Sequence, residues 1–313
     1  MFSIIIPLYN KAAYIEKALQ SVLSQTFKEF ELIVVDDGST DNSLEIVQKF
    51  KNSKVQIIEQ ANSGVSTARN NGVRLAKYDY IAFLDADDWW APDFLLEMKD
   101  LITDFPEAVL FSSSYFKVKN GKNIPAKIGV SAGFERGYFD YCKTYSASLY
   151  MPVWTGAAIL KKSVYEEMNG FKPTLKLGED FDLWLRVALK YKVALLNKPL
   201  AYYNQDVDLQ TRAVGKLRNP QEHMLWHLED FESQSDKTPY LKQMLDNLRV
   251  YGLFPYYLDK NYREKASTEL AKVDWAKQPK SAKLQYDLPV WYLKMNLQIR
   301  NIGSYFKTLL LKK

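Results

Sequence analysis

The chain has 313 residues, of which 47% are hydrophobic and 25% charged. That mix excludes a disordered chain and suits one large α/β domain with an extension, or two domains. A single cysteine, Cys142, excludes an intrachain disulfide, and no apolar run reaches the roughly 18 residues of a membrane span.

The net charge of +5 is unevenly placed. Residues 1–215 hold 25 basic against 26 acidic groups, and residues 216–313 hold 17 against 11. The last stretch, 288–313, has five basic residues and no acidic one. Such a tail is either a solvated basic helix end or a contact for an anionic surface. The N-terminus lacks the basic region and long apolar core of a signal peptide. With the lone cysteine, this makes a cytoplasmic setting the expectation.

Strand and helix signals alternate through the first hundred residues. Ser3–Ile6 reads as a buried strand, followed by a helix carrying Ile15, Ala18, Leu19, Val22 and Leu23 at helical spacing. Glu31–Val35 is a second strand, ending in Asp36-Asp37-Gly38-Ser39. Thr40 or Asp41 can cap the next helix, expected to turn Leu44 and Val47 inward. Val55–Ile58 is a third strand, followed by a helix through Leu75. Ile81–Leu84 is a fourth strand, and it empties into Asp85-Ala86-Asp87-Asp88. This spacing predicts a mostly parallel sheet covered on both faces, where ligands collect beyond the carboxyl ends of the strands. Tyr9-Asn10, Asp36-Asp37 and Asp85–Asp88 all fall at those ends.

After Pro106 the pattern loosens. Val109–Tyr115 is expected as a strand, Gly121–Gly137 as an excursion, and Val153–Leu160 as a return to the core. Gly178-Glu179-Asp180 precedes a helix with Leu183, Trp184, Val187 and Ala188 on its apolar face. Beyond residue 215 the sequence is polar, helical and rich in tyrosine, so the expected boundary separates 1–215 from 216–313.

Three clustered carboxylates repel one another unless a cation compensates them. Alone, they are either a site for a hard divalent ion with oxygen ligands or a solvated acidic turn. Dinucleotide-dependent redox chemistry needs Gly-x-Gly-x-x-Gly after the first strand, and Pro7-Leu8-Tyr9-Asn10 stands there instead. The basic tail carries no motif for reading nucleic acid.

Four segments occur in order: Ser3–Asn10, Val35–Asp41, Gly64–Gly72 with Ala68-Arg69-Asn70, and Leu84–Asp88. Together they resemble glycosyltransferase family 2, inverting nucleotide-sugar transferases of the GT-A fold, over roughly residues 1–205. The resemblance implies a Rossmann-like α/β sheet with a helical C-terminal extension, a UDP-sugar donor, and Mn²⁺ or Mg²⁺ as cofactor. It implies Asp37 on the uracil N3–H, Pro7, Tyr9 and Asn10 in the base-contacting loop, and Arg69 against the nucleotide. Arg69 can reach the base or Asp37, or be paired structurally to a carboxylate. Asp36 and Asp37 can equally be a turn and helix cap.

In the acidic cluster, the resemblance assigns Asp85 to the ribose and Asp87 to the metal. Asp88 is a third member or a cap for the helix opening near Pro92. Asp180 corresponds to the family's general base, or complements a helix N-terminus; Glu179 is an acceptor contact. Trp154 lies in the sugar-pocket segment or in the core. Relatives place a His near the diphosphate; here the chain reads Tyr202-Tyr203-Asn204-Gln205-Asp206, with Arg212 as the candidate replacement. His223 and His227 have no acidic partners that would make a metal site. The Gln-x-x-Arg-Trp motif of processive synthases is absent. The acceptor expected is a saccharide or lipid-linked saccharide. A non-catalytic nucleotide-sugar-binding protein and a sugar nucleotidyltransferase are the alternatives.

Met295, Ile299, Ile302, Phe306, Leu309 and Leu310 recur at helical spacing beside the basic tail. Such a stripe rests on anionic lipid, packs on the body, or meets another subunit of a homo-oligomer.

Overall fold

The structure is a computed structural model, and it describes residues 1–207 and 217–295. The chain divides into two compact units, Met1–His227 and Leu228–Lys313.

In the first unit, strand β1 (Phe2–Leu8) is buried at every position. Helix α1 (Ile15–Leu23) follows, burying Ile15, Ala18, Leu19 and Val22 on one stripe. Next come β2 (Phe30–Asp36), α2 (Ser43–Gln48), β3 (Val55–Glu59), α3 (Val65–Leu75) and β4 (Tyr80–Phe83). The two-residue β5 (Trp89–Trp90), α4 (Phe94–Asp104), β6 (Ala108–Lys119), β7 (Lys122–Pro125) and β8 (Arg136–Tyr138) lead to α5 (Tyr141–Ser148). The unit continues with β9 (Ala158–Lys161), α6 (Lys162–Glu167), α7 (Glu179–Ala188) and β10 (Lys192–Asn204).

The strand order is β3-β2-β1-β4-β9-β6-β10-β5, with β7 alongside β6 and β8 alongside β10. The four N-terminal strands pair in parallel, and β6 and β10 share their direction. Strands β9 and β5 run against them. The α/β class and the mostly parallel direction therefore match expectation. Pro7 sits in β1 beyond the last residue paired with β4, so its missing N–H is not needed on that side.

The core joins β1, α1, β2 and β4 to Trp90, Phe94, Leu95 and Met98. Helix α3 approaches β1 so closely that a Cβ on Gly72 would stand 2.6 Å from Ile5. Buried Gln25 accepts from the Leu95 N–H (2.9 Å) and donates to the Ala91 carbonyl (2.7 Å). It thereby fixes the chain that leaves the acidic cluster to the end of α1. In α2, Ser43 and Val47 face inward while Leu44 is only half-buried. The reason is that the Ser43 hydroxyl is spent on the Lys11 N–H. Neither Thr40 nor Asp41 holds the N-cap position of α2, which Asn42 takes; Asp41 sits one residue earlier and accepts from the Ser43 and Ala12 N–H groups.

The second unit contains helices Leu241–Asn247, Phe254–Leu258, Arg263–Leu270 and Lys280–Asp287. Val250, Leu270, Val273 and Ala282 form a small core, with Tyr257, Trp275 and Tyr286 packed against it. No helix of the described residues is long and apolar enough to cross a membrane. The expected stripe from Ile299 to Leu310 lies outside those residues.

Candidate active site at the carboxyl edge of the sheet

Strands β1, β2 and β4 end side by side, and the loops leaving them are laced together. Asn10 has a left-handed φ of 50° and spends its side-chain carbonyl on the Thr40 (2.7 Å) and Asp41 (3.3 Å) N–H groups. Its own N–H donates to Ser39 Oγ. Pro7 is buried in β1, whereas Tyr9 stands 46% exposed at the rim. Of this expected base-contacting loop, Tyr9 is the open side chain and Asn10 is the fastener.

Asp37 is buried, and its carboxylate accepts from Gln60 Nε2 (2.7 Å) and the Ser63 and Gly64 N–H groups (both 2.8 Å). These bonds hold the loop entering α3. Three of about four acceptor positions are therefore used, which leaves room for one further donor such as a ring N–H. Asp36 closes the adjacent turn through the Ser39 N–H.

At the acidic cluster, Asp85 Oδ1 accepts from Arg69 (2.7 Å), and its side chain is 33% exposed. Asp87 meets the Lys11 ammonium at 2.7 Å. Asp88 is buried; Oδ1 accepts from the Asn204 N–H (2.7 Å), and Oδ2 has no partner among the described residues. Asp88 therefore does not cap the next helix, where Asp93 holds the N-cap position of α4. Instead it ties the cluster to the end of β10. Burial pushes the carboxyl of Asp87 up against the opposing pull of Lys11. Burial, then Asp87 and Asp85, push Asp88 well above the ordinary carboxylate range. The three acids of the cluster thus outnumber the two cations, Lys11 and Arg69, that pair with it.

Arg69, buried on α3, links this cluster to α7. Its guanidinium reaches Asp85 on one side and Glu179 (3.2 Å) on the other, with Phe171 stacked 5.1 Å away. Burial opposes its charge, but Asp85 and Glu179 outweigh burial and raise its pKa. Arg69 thus pairs with Asp85 and Glu179 rather than with Asp37. Glu179, expected at the acceptor, is committed to Arg69. Burial and then Asp180 push its carboxyl up to about 7, against Arg69.

Gly178, at φ 78°, makes the left-handed turn that starts α7. Asp180 accepts from Thr155 Oγ1 (3.0 Å) and the Phe181 N–H (2.7 Å). Burial pushes its pKa up, with Arg69 and the Thr155 bond opposing. The helix is braced by buried Asp182, which pairs with Arg186 (2.7 Å) and Lys172 (3.0 Å). A returning segment completes this corner. The Glu222 carbonyl accepts from the Lys176 and Leu177 N–H groups, and the Leu177 carbonyl accepts from that of Met224.

Trp154 belongs to the core: it is 8% exposed and packs on Tyr115 and Tyr203. A Cβ on Gly156 would stand 2.4 Å from its ring. The neighbouring Thr155, not Trp154, is the residue that touches Asp180. Arg212 lies outside the described residues. His223 is half-buried and its pKa is lowered to about 4, first by burial and then by Arg218 and His227. Lys11, Thr155 and Asn204 are the site residues that sequence reasoning missed. Lys11 follows the Tyr9-Asn10 motif directly, which is the one signal that could have found it.

Among the described residues, no three His, Cys, Asp or Glu groups converge as a protein-only metal cage. A hard divalent ion nonetheless fits: the donors are carboxylate oxygens, Asp88 has an orphaned buried oxygen, and a cation already sits on Asp87. Mg²⁺-type sites commonly use one or two carboxylates and complete their shell with substrate phosphates and water.

The family description "Glycosyl transferase family 2" matches residues 3–168. Glycosyltransferase GlyA of Streptococcus pneumoniae is 30% identical over 216 residues, 68% of this chain and 28% of GlyA. The chain spans about a third or less of the length of the first curated relatives it matches. Among solved structures, S. aureus TarS 1–349 in complex with UDP-GlcNAc aligns with a TM-score of 0.72 at 19% identity, covering 90% of this chain and 82% of TarS 1–349. A Pyrobaculum calidifontis mannosyltransferase in complex with GDP-Man and Mn²⁺ aligns at 0.56 and 18%, covering 88% of each. These likenesses give the fold, GT-A, and with the family match over more than half its length, the chain belongs to glycosyl transferase family 2.

Proposed function

We propose that the chain transfers a single sugar from a UDP-sugar to an acceptor hydroxyl with inversion. One observation carries this reading: buried Arg69 joins the acidic cluster after β4 to the first turn of α7, where Asp180 stands. A donor-side carboxylate group and a candidate base are thereby held on one rigid frame. The acceptor hydroxyl attacks the anomeric carbon as its proton passes to the Asp180 carboxylate. The bond to the diphosphate breaks with its electron pair leaving on UDP. An α-linked donor then yields a β-linked product.

Asp180 suits a general base because its raised pKa makes it a better proton acceptor than a solvated aspartate. Thr155 orients its carboxylate. Asp85, one-third open, can accept from the ribose hydroxyls while Arg69 fixes its rotamer. Asp37 retains one acceptor position for a uracil N–H, and Tyr9 is free to lie against the base. Asp87 would hold a divalent ion, whose chemistry there is to stabilise the charge growing on the departing diphosphate. UDP is favoured because TarS was captured with UDP-GlcNAc; Mn²⁺ or Mg²⁺ because the mannosyltransferase was captured with Mn²⁺. A saccharide acceptor fits relatives such as the hyaluronan and chondroitin synthases of Pasteurella multocida.

The test is a panel of UDP- and GDP-sugars incubated with Mn²⁺, read as nucleotide release with and without added saccharide acceptor. Release from a UDP-sugar that disappears in Asp87→Ala is expected. Full activity in that variant, or no release from any donor, would defeat the reading.

A further inference from the structure

We propose that Lys11 is the built-in cation of the donor site: it neutralises Asp87 when no metal is bound and grips the donor diphosphate when one is. The proposal rests on the donor reading above and adds a residue to it. Lys11 Nζ stands 2.7 Å from Asp87 Oδ2, and both side chains are less than a fifth exposed, at 17% and 18%. The backbone beneath it is fixed. The Lys11 N–H donates to Ser43 Oγ (2.8 Å), and its carbonyl accepts from Tyr14 (2.9 Å) and Ile15 (3.0 Å). Just before it, Asn10 adopts a left-handed conformation held by the loop after β2.

The charge count explains why a lysine belongs here. Asp85, Asp87 and Asp88 crowd four positions, and Asp88 keeps a buried oxygen without a partner. Arg69 is already divided between Asp85 and Glu179. Lys11 is the other cation paired to the cluster among the described residues. An ammonium on a flexible four-carbon stem is a point charge that can follow its anion, and it is a common phosphate ligand. A diphosphate held through a metal on Asp87 would come within reach of Nζ, which stands 2.7 Å from that carboxylate. A metal entering alone must compete with the ammonium for Asp87. A metal entering with a diphosphate need not, because the ammonium then has phosphate oxygens to bind. Metal and nucleotide binding are thereby coupled, each strengthening the other.

The experiment titrates MnCl₂ into ligand-free protein, read by the electron paramagnetic resonance of free Mn²⁺, and UDP into protein saturated with Mn²⁺, read by calorimetry. In Lys11→Gln, Mn²⁺ binding should tighten by about 10-fold and UDP binding in saturating Mn²⁺ weaken by about 10-fold. Lys11→Arg, which keeps the charge, should restore UDP binding in Mn²⁺. Unchanged Mn²⁺ and UDP affinities in a folded Lys11→Gln protein would overturn the proposal. A wild type that binds Mn²⁺ but no UDP, even with Mn²⁺ present, would sink the donor reading and the diphosphate half of this proposal with it.

Discussion

Arg69 in the first unit and Arg249 in the second are both buried, with 4% and 1% of their side chains exposed, and each is held by several carboxylates. Around Arg249 the charges close on themselves. It pairs with Glu232 and, at 3.2 Å, with Glu269; Lys272 also holds Glu269, and Lys242 and the Asp274 N–H hold Asp246. Burial would raise the Glu269 carboxyl, but Lys272 and Arg249 together lower it. Around Arg69 the acids outnumber the cations, and Glu179, Asp180, Asp87 and Asp88 are all pushed upward. A satisfied network is a staple. An unsatisfied one at a sheet edge is built to receive charge.

That difference can be broken by mutation, and the largest effect should come from the candidate base. Asp180→Asn should cut turnover by about 10²–10⁴-fold while leaving UDP affinity in Mn²⁺ unchanged. Surviving turnover would move the base elsewhere. Arg249→Met removes the buried cation shared by Glu232 and Glu269, leaving Lys272 and Lys242 to hold the remaining acids, and should cost about 1–3 kcal/mol of stability by denaturant unfolding. UDP affinity should hold in that variant under native conditions; a parallel loss of both would erase the distinction between staple and site. Thr155→Val removes the hydroxyl that orients Asp180, and a fall of about 10-fold in kcat with little change in donor KM is expected. An unchanged kcat would show that Thr155 does not position the base.

A further contrast concerns pH. Glu179 has its folded pKa raised from 4.5 to about 7. A carboxyl raised in this way adds stability below its unfolded value and loses it as pH rises through the folded one. Thermal stability of the metal-free protein should therefore decline from about pH 4.5 to about pH 7, and Glu179→Gln should flatten part of that slope. A wild-type slope of opposite sign in that window, unaltered by the variant, would contradict the assignment.

The parallel half of the fold was legible because its strands are rich in apolar residues and its helices alternate with them at short spacing. The second half was less so. β9 runs antiparallel between β4 and β6, yet four apolar-rich residues carry no sign of their direction. Two-residue β5 is too short for a pattern to register. In the site, the acids announced themselves by crowding within four positions. Their cationic partners did not, since Lys11 reaches Asp87 across 76 residues and Arg69 reaches Glu179 across 110. Trp154 was ambiguous because an aromatic beside small residues serves a sugar pocket or a core equally, and only packing on Tyr115 and Tyr203 decides for the core.

The central claim is that the acidic cluster after β4 receives a metal-bound nucleotide diphosphate. Its most direct test is calorimetric titration of UDP into wild type and Asp87→Asn, each in Mn²⁺ and in EDTA. Mn²⁺ should strengthen UDP binding to the wild type by at least about 10-fold, and Asp87→Asn should abolish the gain. Equal affinity with and without metal in the wild type, or a metal gain that persists in Asp87→Asn, would contradict it.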